Sequence, residues 1–152
     1  MSGRGRFKNL DKKLNKLKMV GLDTNIFIYY FEQNSEFGQS AKKIFDLLST
    51  NSLNTVTSVI SLMEILSPDF ISKVAARETE KKFFDIPNLK VLDVDRIITV
   101  EAARIKREYG FRLPDSIQLA TAISGKAQAF ITNDHRLKSF KQLKIISLLD
   151  LA

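Results

Sequence analysis

Short apolar runs alternate along the chain with longer segments in which apolar residues recur at helical spacing. The short runs predict β-strands, at residues 19–23, 54–58, 89–94, 129–132 and 144–149. The longer segments predict helices, at residues 26–31, 36–49, 59–66, 68–84, 95–109 and 114–124. Gly110 and Gly125 follow two of these helices as stop signals, and Pro114 is suited to the first turn of the last one.

This alternation of strands and helices favours right-handed βαβ units. The predicted fold class is therefore α/β, a three-layer α/β/α sandwich with a central, mainly parallel sheet. In such sheets ligands bind beyond the carboxyl ends of the strands, so the residues that follow the first and fourth strands should share one edge. The sequence contains no glycine-rich phosphate-binding loop of the dinucleotide or nucleotide type.

Composition bounds the size of the protein and the kind of metal site it can hold. The chain has 152 residues, of which 44% are hydrophobic, enough for one core, and we assign residues 19–152 to one domain. It has no cysteine and one histidine, His135. Thiolate chemistry and multi-histidine zinc sites are therefore excluded within a single chain, and a metal ion must be held by oxygen.

The net charge of +7 is concentrated at the N-terminus. Residues 1–18 hold seven basic residues and one acidic residue, and few large apolar ones, which predicts a basic arm. The arm either contacts RNA or is an upstream extension, with Met19 as the functional start. No apolar stretch is long enough to span a bilayer and no signal peptide is evident, so we expect a cytoplasmic protein with no membrane partner.

Four acidic residues stand alone in otherwise uncharged stretches: Asp23 in residues 19–31, Glu64 in 47–68, Asp115 in 113–125 and Asp134 in 127–134. A carboxylate in apolar surroundings is expected to be partly buried, which is costly unless something neutralises it. Each aspartate also has a purely structural alternative, as a helix cap or first-turn residue. Glu64 lies within a helix, where its alternative is a solvated outer face.

Four carboxylates at one edge of a sheet need a cation. Two of them about 4 Å apart repel by roughly 4 kcal/mol at an effective dielectric constant near 20. Mg²⁺ prefers all-oxygen ligation with several retained waters, and Mn²⁺ accepts the same ligands. The residues thus predict a Mg²⁺ or Mn²⁺ site at Asp23, Glu64, Asp115 and Asp134.

Four segments around these acids resemble the ordered motifs of PIN domains. They are Leu22-Asp23-Thr24-Asn25, Ser58-Val59-Ile60-Ser61-Leu62-Met63-Glu64, Leu113-Pro114-Asp115-Ser116-Ile117-Gln118-Leu119-Ala120-Thr121-Ala122 and Ile131-Thr132-Asn133-Asp134. Each motif is weak alone, but the set has the order and spacing of the family, and the resemblance covers residues 19–149. The compact single-domain form is most similar to VapC-type toxins of toxin–antitoxin pairs. The basic arm departs from that pattern.

The resemblance implies a Mg²⁺- or Mn²⁺-dependent endoribonuclease that cleaves RNA such as tRNA or rRNA. It also implies a cognate antitoxin and a homodimer. The four acids map onto the catalytic metal-site positions, and Asn25 and Thr132 onto residues that support them, with local turn hydrogen bonding as the alternative. Arg112 is a candidate phosphate contact, whereas His135 is a candidate proton shuttle or a surface histidine.

Three alternatives compete with the ribonuclease interpretation. A non-catalytic RNA- or protein-binding module of the same fold would normally have lost one of the acids. A haloacid-dehalogenase-like phosphatase needs an acidic residue two positions after its first aspartate, where this chain has Asn25. A DNA-directed nuclease of related fold is compatible with the same residues.

Overall fold

Five parallel strands form the central sheet. A computed structural model of the chain describes residues 12–148, so most of the predicted arm, residues 1–11, and the last residues, 149–152, lie outside the described part. The strands are β1 (Met19–Leu22), β2 (Asn54–Ser58), β3 (Leu89–Leu92), β4 (Ala129–Thr132) and β5 (Lys144–Ser147). Their order is β3-β2-β1-β4-β5, and every pairing is parallel. The predicted α/β class and parallel sheet are confirmed.

Within the described part of the chain, six α-helices lie between β1 and β4. They are α1 (Thr24–Phe31), α2 (Gly38–Ser49), α3 (Val59–Leu66), α4 (Lys73–Phe84), α5 (Arg96–Tyr109) and α6 (Leu113–Ser124), and a short 3₁₀ helix covers His135–Ser139. Among residues 12–148, no helix has the length and apolar character needed to cross a membrane.

The helices cover both faces of the sheet, each over its own hydrophobic core. On one face Phe27 of α1 and Ile44 of α2 pack with Leu22 of β1. On the other face Ile105 of α5 and Leu119 of α6 pack with further buried residues of the sheet. Because successive side chains of a strand point to opposite faces of the sheet, the same strands supply buried side chains to both cores.

Glycine at position 21 lets α6 lie directly on the central strand. A Cβ atom at Gly21 would fall 2.7 Å from the Cβ atom of Ala122 and 2.8 Å from Cδ1 of Phe130, closer than real contacts allow. The absent side chain therefore sets the separation between β1 and α6. This contact also positions two of the candidate acids, because Asp23 directly follows β1 and Asp115 lies on α6.

Several predicted boundaries are wrong, and two of these differences have a local physical cause. The first predicted helix begins at Thr24 and not at residue 26, and the second begins at Gly38 and not at residue 36. The helix predicted over residues 68–84 begins at Lys73, because the Ser72 side chain accepts a hydrogen bond from the amide of Ala75 and caps the helix there. The strand predicted to residue 94 ends at Leu92, since the neighbouring strand ends at Ser58, which is its register partner. The last predicted strand is described as far as Ser147.

Candidate metal centre

All four predicted acids lie at the carboxyl-terminal edge of the sheet. Asp23 directly follows β1 and caps α1, and Asp134 follows β4 and caps the 3₁₀ helix. Glu64 lies on α3, the helix that follows β2, and Asp115 lies in the first turn of α6. The three aspartates therefore do cap a helix or lie in its first turn, as considered above. They also share one edge of the sheet with Glu64.

Asp23 is the most perturbed acid of the group. Only 7% of its surface is exposed, and its carboxylate accepts hydrogen bonds from the Thr24 amide (2.8 Å) and the Thr132 hydroxyl (2.7 Å). The pKa of Asp23 is raised from 3.8 to about 6, mainly by burial and in smaller part by the negative charges of Asp115 and Glu64, against the lowering effect of these hydrogen bonds. The Asp115 and Glu64 carboxylates therefore each lie near enough to Asp23 to disfavour its negative charge.

Glu64 reaches the site through Thr24. The Thr24 hydroxyl donates a hydrogen bond of 2.8 Å to Oε1 of Glu64, and Thr24 itself is buried. Thr24 thus contacts two of the candidate acids, Asp23 through its backbone and Glu64 through its side chain. Glu64 faces inward from α3 and is partly buried, so the solvated outer face considered as its alternative is wrong.

Two arginines lie against the other two acids. Nε of Arg112 donates to Oδ2 of Asp115 at 3.2 Å, and its guanidinium lies 4.0 Å from Oδ2 of Asp134. Arg136 contacts both carboxylate oxygens of Asp134, at 3.0 Å and 2.6 Å. These hydrogen bonds from Arg136 hold the pKa of Asp134 below its ordinary value. Both arginines remain largely exposed, so each also presents its charge to solvent.

Comparison with known proteins identifies the family. A family model described as "PIN domain" matches residues 20–143, most of the chain. The chain belongs to the PIN-domain family. Among curated proteins, no sequence matches this PIN domain.

Solved structures with a similar fold come from bacterial complexes. VapBC2 from Rickettsia felis, bound to a DNA fragment from its promoter, is 20% identical and covers 85% of this chain and 98% of its own, with a TM-score of 0.67. DNA-bound VapBC from Salmonella typhimurium is 22% identical, covers 87% and 98%, and has a TM-score of 0.64. A toxin–antitoxin complex from Klebsiella pneumoniae is 21% identical, covers 86% and 97%, and has a TM-score of 0.58. These similarities concern the fold of this PIN domain.

The acidic edge of this PIN domain suits a hydrated divalent cation better than a closed cage. Within residues 12–148, no three acidic or histidine side chains are grouped tightly enough to form a complete ligand set. Mg²⁺ does not require one, because it usually keeps several waters and takes one or two protein carboxylates. Burial and, in smaller part, the charges of Asp115 and Glu64 raise the pKa of Asp23, and a divalent cation would favour its ionised form. The residues present therefore fit Mg²⁺ or Mn²⁺.

The other residues singled out from the sequence differ in burial and in hydrogen bonding. Thr132 is buried and bonds Asp23, and its Oγ1 also accepts the Asp134 amide at 3.0 Å, so it links two of the acids. Asn25 is exposed and makes no described hydrogen bond to Asp23, whose bonds come from Thr24 and Thr132. His135 is exposed on the 3₁₀ helix.

Several polar residues around the site were not predicted from the sequence. They are Arg136 and three buried residues beneath the acids, Thr57, Ser61 and Gln118. The buried residues did carry a signal. Each is an uncharged polar residue in a strand or helix that is largely buried, where an unpaired polar group is costly and a hydrogen-bonding partner must exist.

Proposed function

We propose that this PIN domain is a Mg²⁺-dependent endoribonuclease, with Mn²⁺ as an alternative ion, and that it is the toxin of a toxin–antitoxin pair. The observation that carries the proposal is the buried Asp23 carboxylate, whose pKa is raised to about 6 by burial and by the charges of Asp115 and Glu64. A fold gains nothing in stability from crowding carboxylates at one edge. Such an arrangement is favourable once a divalent cation neutralises it.

Three of the four acids would bind the ion or face it. Asp23 and Asp115 are the most buried of the four and would bind it directly, and Glu64, oriented by Thr24, would complete the acidic face. When bound, the ion lowers the pKa of a coordinated water and offsets charge on the phosphodiester. Asp134 remains next to Arg136, where it would hold that guanidinium in place. No protein nucleophile is required.

Arg112 and Arg136 would bind the RNA backbone. Both guanidiniums are more than half exposed, yet each is anchored to a site carboxylate, Arg112 to Asp115 and Arg136 to Asp134. An arginine fixed at one end of its planar fork is pre-oriented for a phosphate at the other. The positive charges are thereby held beside the acids that would bind the ion.

A protein partner is supported by apolar side chains near Glu64. Met63 on α3 is 58% exposed, Phe70 in the following loop 87% and Val74 on α4 64%. These three exposed residues fall within 12 positions of the chain, and exposed large apolar side chains are typical of protein interfaces. Together with the fold shared with toxin–antitoxin complexes, they support a cognate antitoxin that binds beside the acidic edge. A homodimer is proposed from the family resemblance, and light scattering on the purified protein tests it.

Cleavage assays with matched variants test the catalytic proposal. Purified protein is incubated with tRNA and with rRNA in Mg²⁺ or in EDTA, as wild type, Asp23→Asn and Asp115→Asn. Asp46→Asn is the control, since Asp46 is exposed and pairs with Lys42 on α2. We expect cleavage by the wild type and by the control only in Mg²⁺, and at least a 100-fold loss in the two site variants while their circular dichroism stays native.

Other outcomes would redirect the proposal. Cleavage that survives in EDTA, or in either site variant, contradicts a metal mechanism at these acids. A folded wild type that binds RNA without cleaving it favours the non-catalytic module, and cleavage of DNA alone favours the related DNA nuclease. Toxicity on expression that persists in Asp115→Asn would contradict the assignment as a nuclease toxin.

A further inference from the structure

Beneath the acidic edge lies a network of buried polar side chains. Thr24, Thr57, Ser61 and Gln118 are each at most 3% exposed, and they come from four different elements, α1, β2, α3 and α6. Their hydrogen bonds join the elements that carry Asp23, Glu64 and Asp115. None of these four side chains is charged, so their effect on the nearby acids depends on which atom donates the proton in each hydrogen bond.

The backbone fixes the orientation of the Gln118 amide. The Ser58 N–H, which can only donate, lies 3.3 Å from Oε1 of Gln118. The opposite orientation would place the amide NH₂ group against this N–H and leave the Ser58 N–H without an acceptor. Nε2 of Gln118 therefore faces the other way, 2.7 Å from the Ser61 hydroxyl and 3.2 Å from the Thr24 hydroxyl.

This orientation sets the direction of the remaining hydrogen bonds. Each hydroxyl has one proton to donate and here accepts an N–H of Gln118, so its own proton must go elsewhere. The Ser61 proton has the Thr57 hydroxyl at 2.7 Å. The Thr57 proton has two acceptors, the carbonyl oxygen of Leu22 at 3.0 Å and Oε1 of Gln118 at 3.3 Å. The Thr24 hydroxyl lies 3.2 Å from the Ser61 hydroxyl and 2.8 Å from Oε1 of Glu64. Because the Glu64 carboxylate is the nearer acceptor and the stronger one, the Thr24 proton goes to Glu64.

We propose that Gln118 is a positioning residue for the metal centre. By donating to Thr24 and Ser61 it commits the Thr24 proton to Glu64, which fixes the position of the Glu64 carboxylate. Within residues 12–148 this is the one hydrogen bond described for Glu64, so the remaining carboxylate oxygen is available for a cation or its water. The inference rests on the proposed function and adds a residue that never touches the ion.

Two substitutions at position 118 test the inference. Gln118→Met keeps the side-chain length and removes all hydrogen bonding. Gln118→Glu keeps the shape and adds negative charge, which by itself would strengthen cation binding, but it removes donated N–H groups. We expect both to weaken Mg²⁺ binding, measured by titration calorimetry at pH 7.5, by about 10-fold, the lower end of the range for residues that orient metal ligands.

Matched variants separate positioning from stability. Ile105→Val removes one buried methylene on the α5 face and should lower the unfolding midpoint while leaving Mg²⁺ affinity within about twofold of wild type. Thr24→Ser keeps the hydroxyl and should also retain affinity, whereas Thr24→Val should lose about 10-fold. The conservative serine thus separates the donated proton from the shape of the side chain.

The possible results are distinguishable. Variants of Gln118 that are less stable but bind Mg²⁺ as tightly as wild type overturn the inference and leave the proposed function intact. Tighter Mg²⁺ binding by Gln118→Glu also overturns the inference, because the added negative charge would then affect Mg²⁺ affinity more than the N–H groups that Gln118 donates. A wild type that binds no Mg²⁺ overturns the proposed function and this inference with it. If Gln118→Met does not fold, the comparison of Gln118→Glu with wild type decides.

Discussion

Replacing Asp23 with Asn is expected to stabilise the metal-free protein at pH 7.5. The folded-state pKa of Asp23 is about 6 against an ordinary value of 3.8. At about 1.4 kcal/mol per pH unit, ionised Asp23 costs the folded state about 3 kcal/mol. Asn removes this charge and can still accept the Thr24 amide hydrogen bond. It deprives the Thr132 hydroxyl of its acceptor, which costs about 1 kcal/mol, so the net gain is about 2 kcal/mol.

The sign of this effect depends on pH. Because the folded-state pKa of Asp23 lies above the unfolded value, its contribution favours the folded wild type below pH 3.8 and is lost as the pH rises through about 6. The advantage of Asp23→Asn should therefore be fully present at pH 7.5 and absent at pH 4. Excess Mg²⁺ at pH 7.5 should reverse the order, since it binds and stabilises only the wild type.

Urea unfolding in EDTA, with and without added Mg²⁺, measures this difference. In a thermal unfolding experiment the same gain of about 2 kcal/mol would appear as a rise in Tm of roughly 4–8 °C for a domain of this size. Asp46→Asn is the control, because its exposed pair with Lys42 should contribute less than about 1 kcal/mol. If Asp23→Asn is as stable as wild type or less stable at pH 7.5 without metal, then crowding of ionised carboxylates is not the property that defines this site.

Further predictions concern the ion, the arginines and the fold. Asp115→Asn should lose Mg²⁺ binding measured by calorimetry, with a native circular dichroism spectrum. Mg²⁺ affinity should fall by up to about 10-fold per pH unit below pH 6, because a proton competes with the ion at Asp23. Arg136→Gln should weaken RNA binding and lower the slope of log affinity against log salt by about 0.7–0.9, whereas Arg77→Gln, exposed on α4, should change neither. Gly110→Ala should cost about 1 kcal/mol in urea unfolding, since φ is +72° there although the space is open.

The fold could be predicted from the sequence because its strand and helix signals are local. The apolar runs and the stop signal at Gly110 gave the element order, and parallel connectivity placed the ends of β1 and β4 at one edge. Boundaries were less certain where a short side chain decides them. Ser72 ends the loop before α4 through a single hydrogen bond, which hydrophobic periodicity does not detect.

Of the candidate site, only the acidic residues that stand alone in uncharged sequence could be predicted from their local pattern. Asp23 and Asp115 stand out in apolar sequence, but their hydrogen-bonding partners do not. Gln118 meets Thr24 across 94 positions of the chain, and this contact exists only once α6 has packed on β1. Arg136 lies in a mixed-charge segment, where a salt bridge to Asp134 competes with simple solvation and no pattern distinguishes the two.

The position of β1 in the middle of the sheet also determines when the acidic edge can exist during synthesis. Asp23 and Glu64 are made early, whereas Asp115 and Asp134 belong to the last third of the chain and reach the edge only when β4 pairs with β1. A ribosome-bound chain that ends before α6 therefore holds half of the acids. The same division makes the domain a candidate for a split protein, in which neither fragment contains the whole set of carboxylates and reassembly alone restores it.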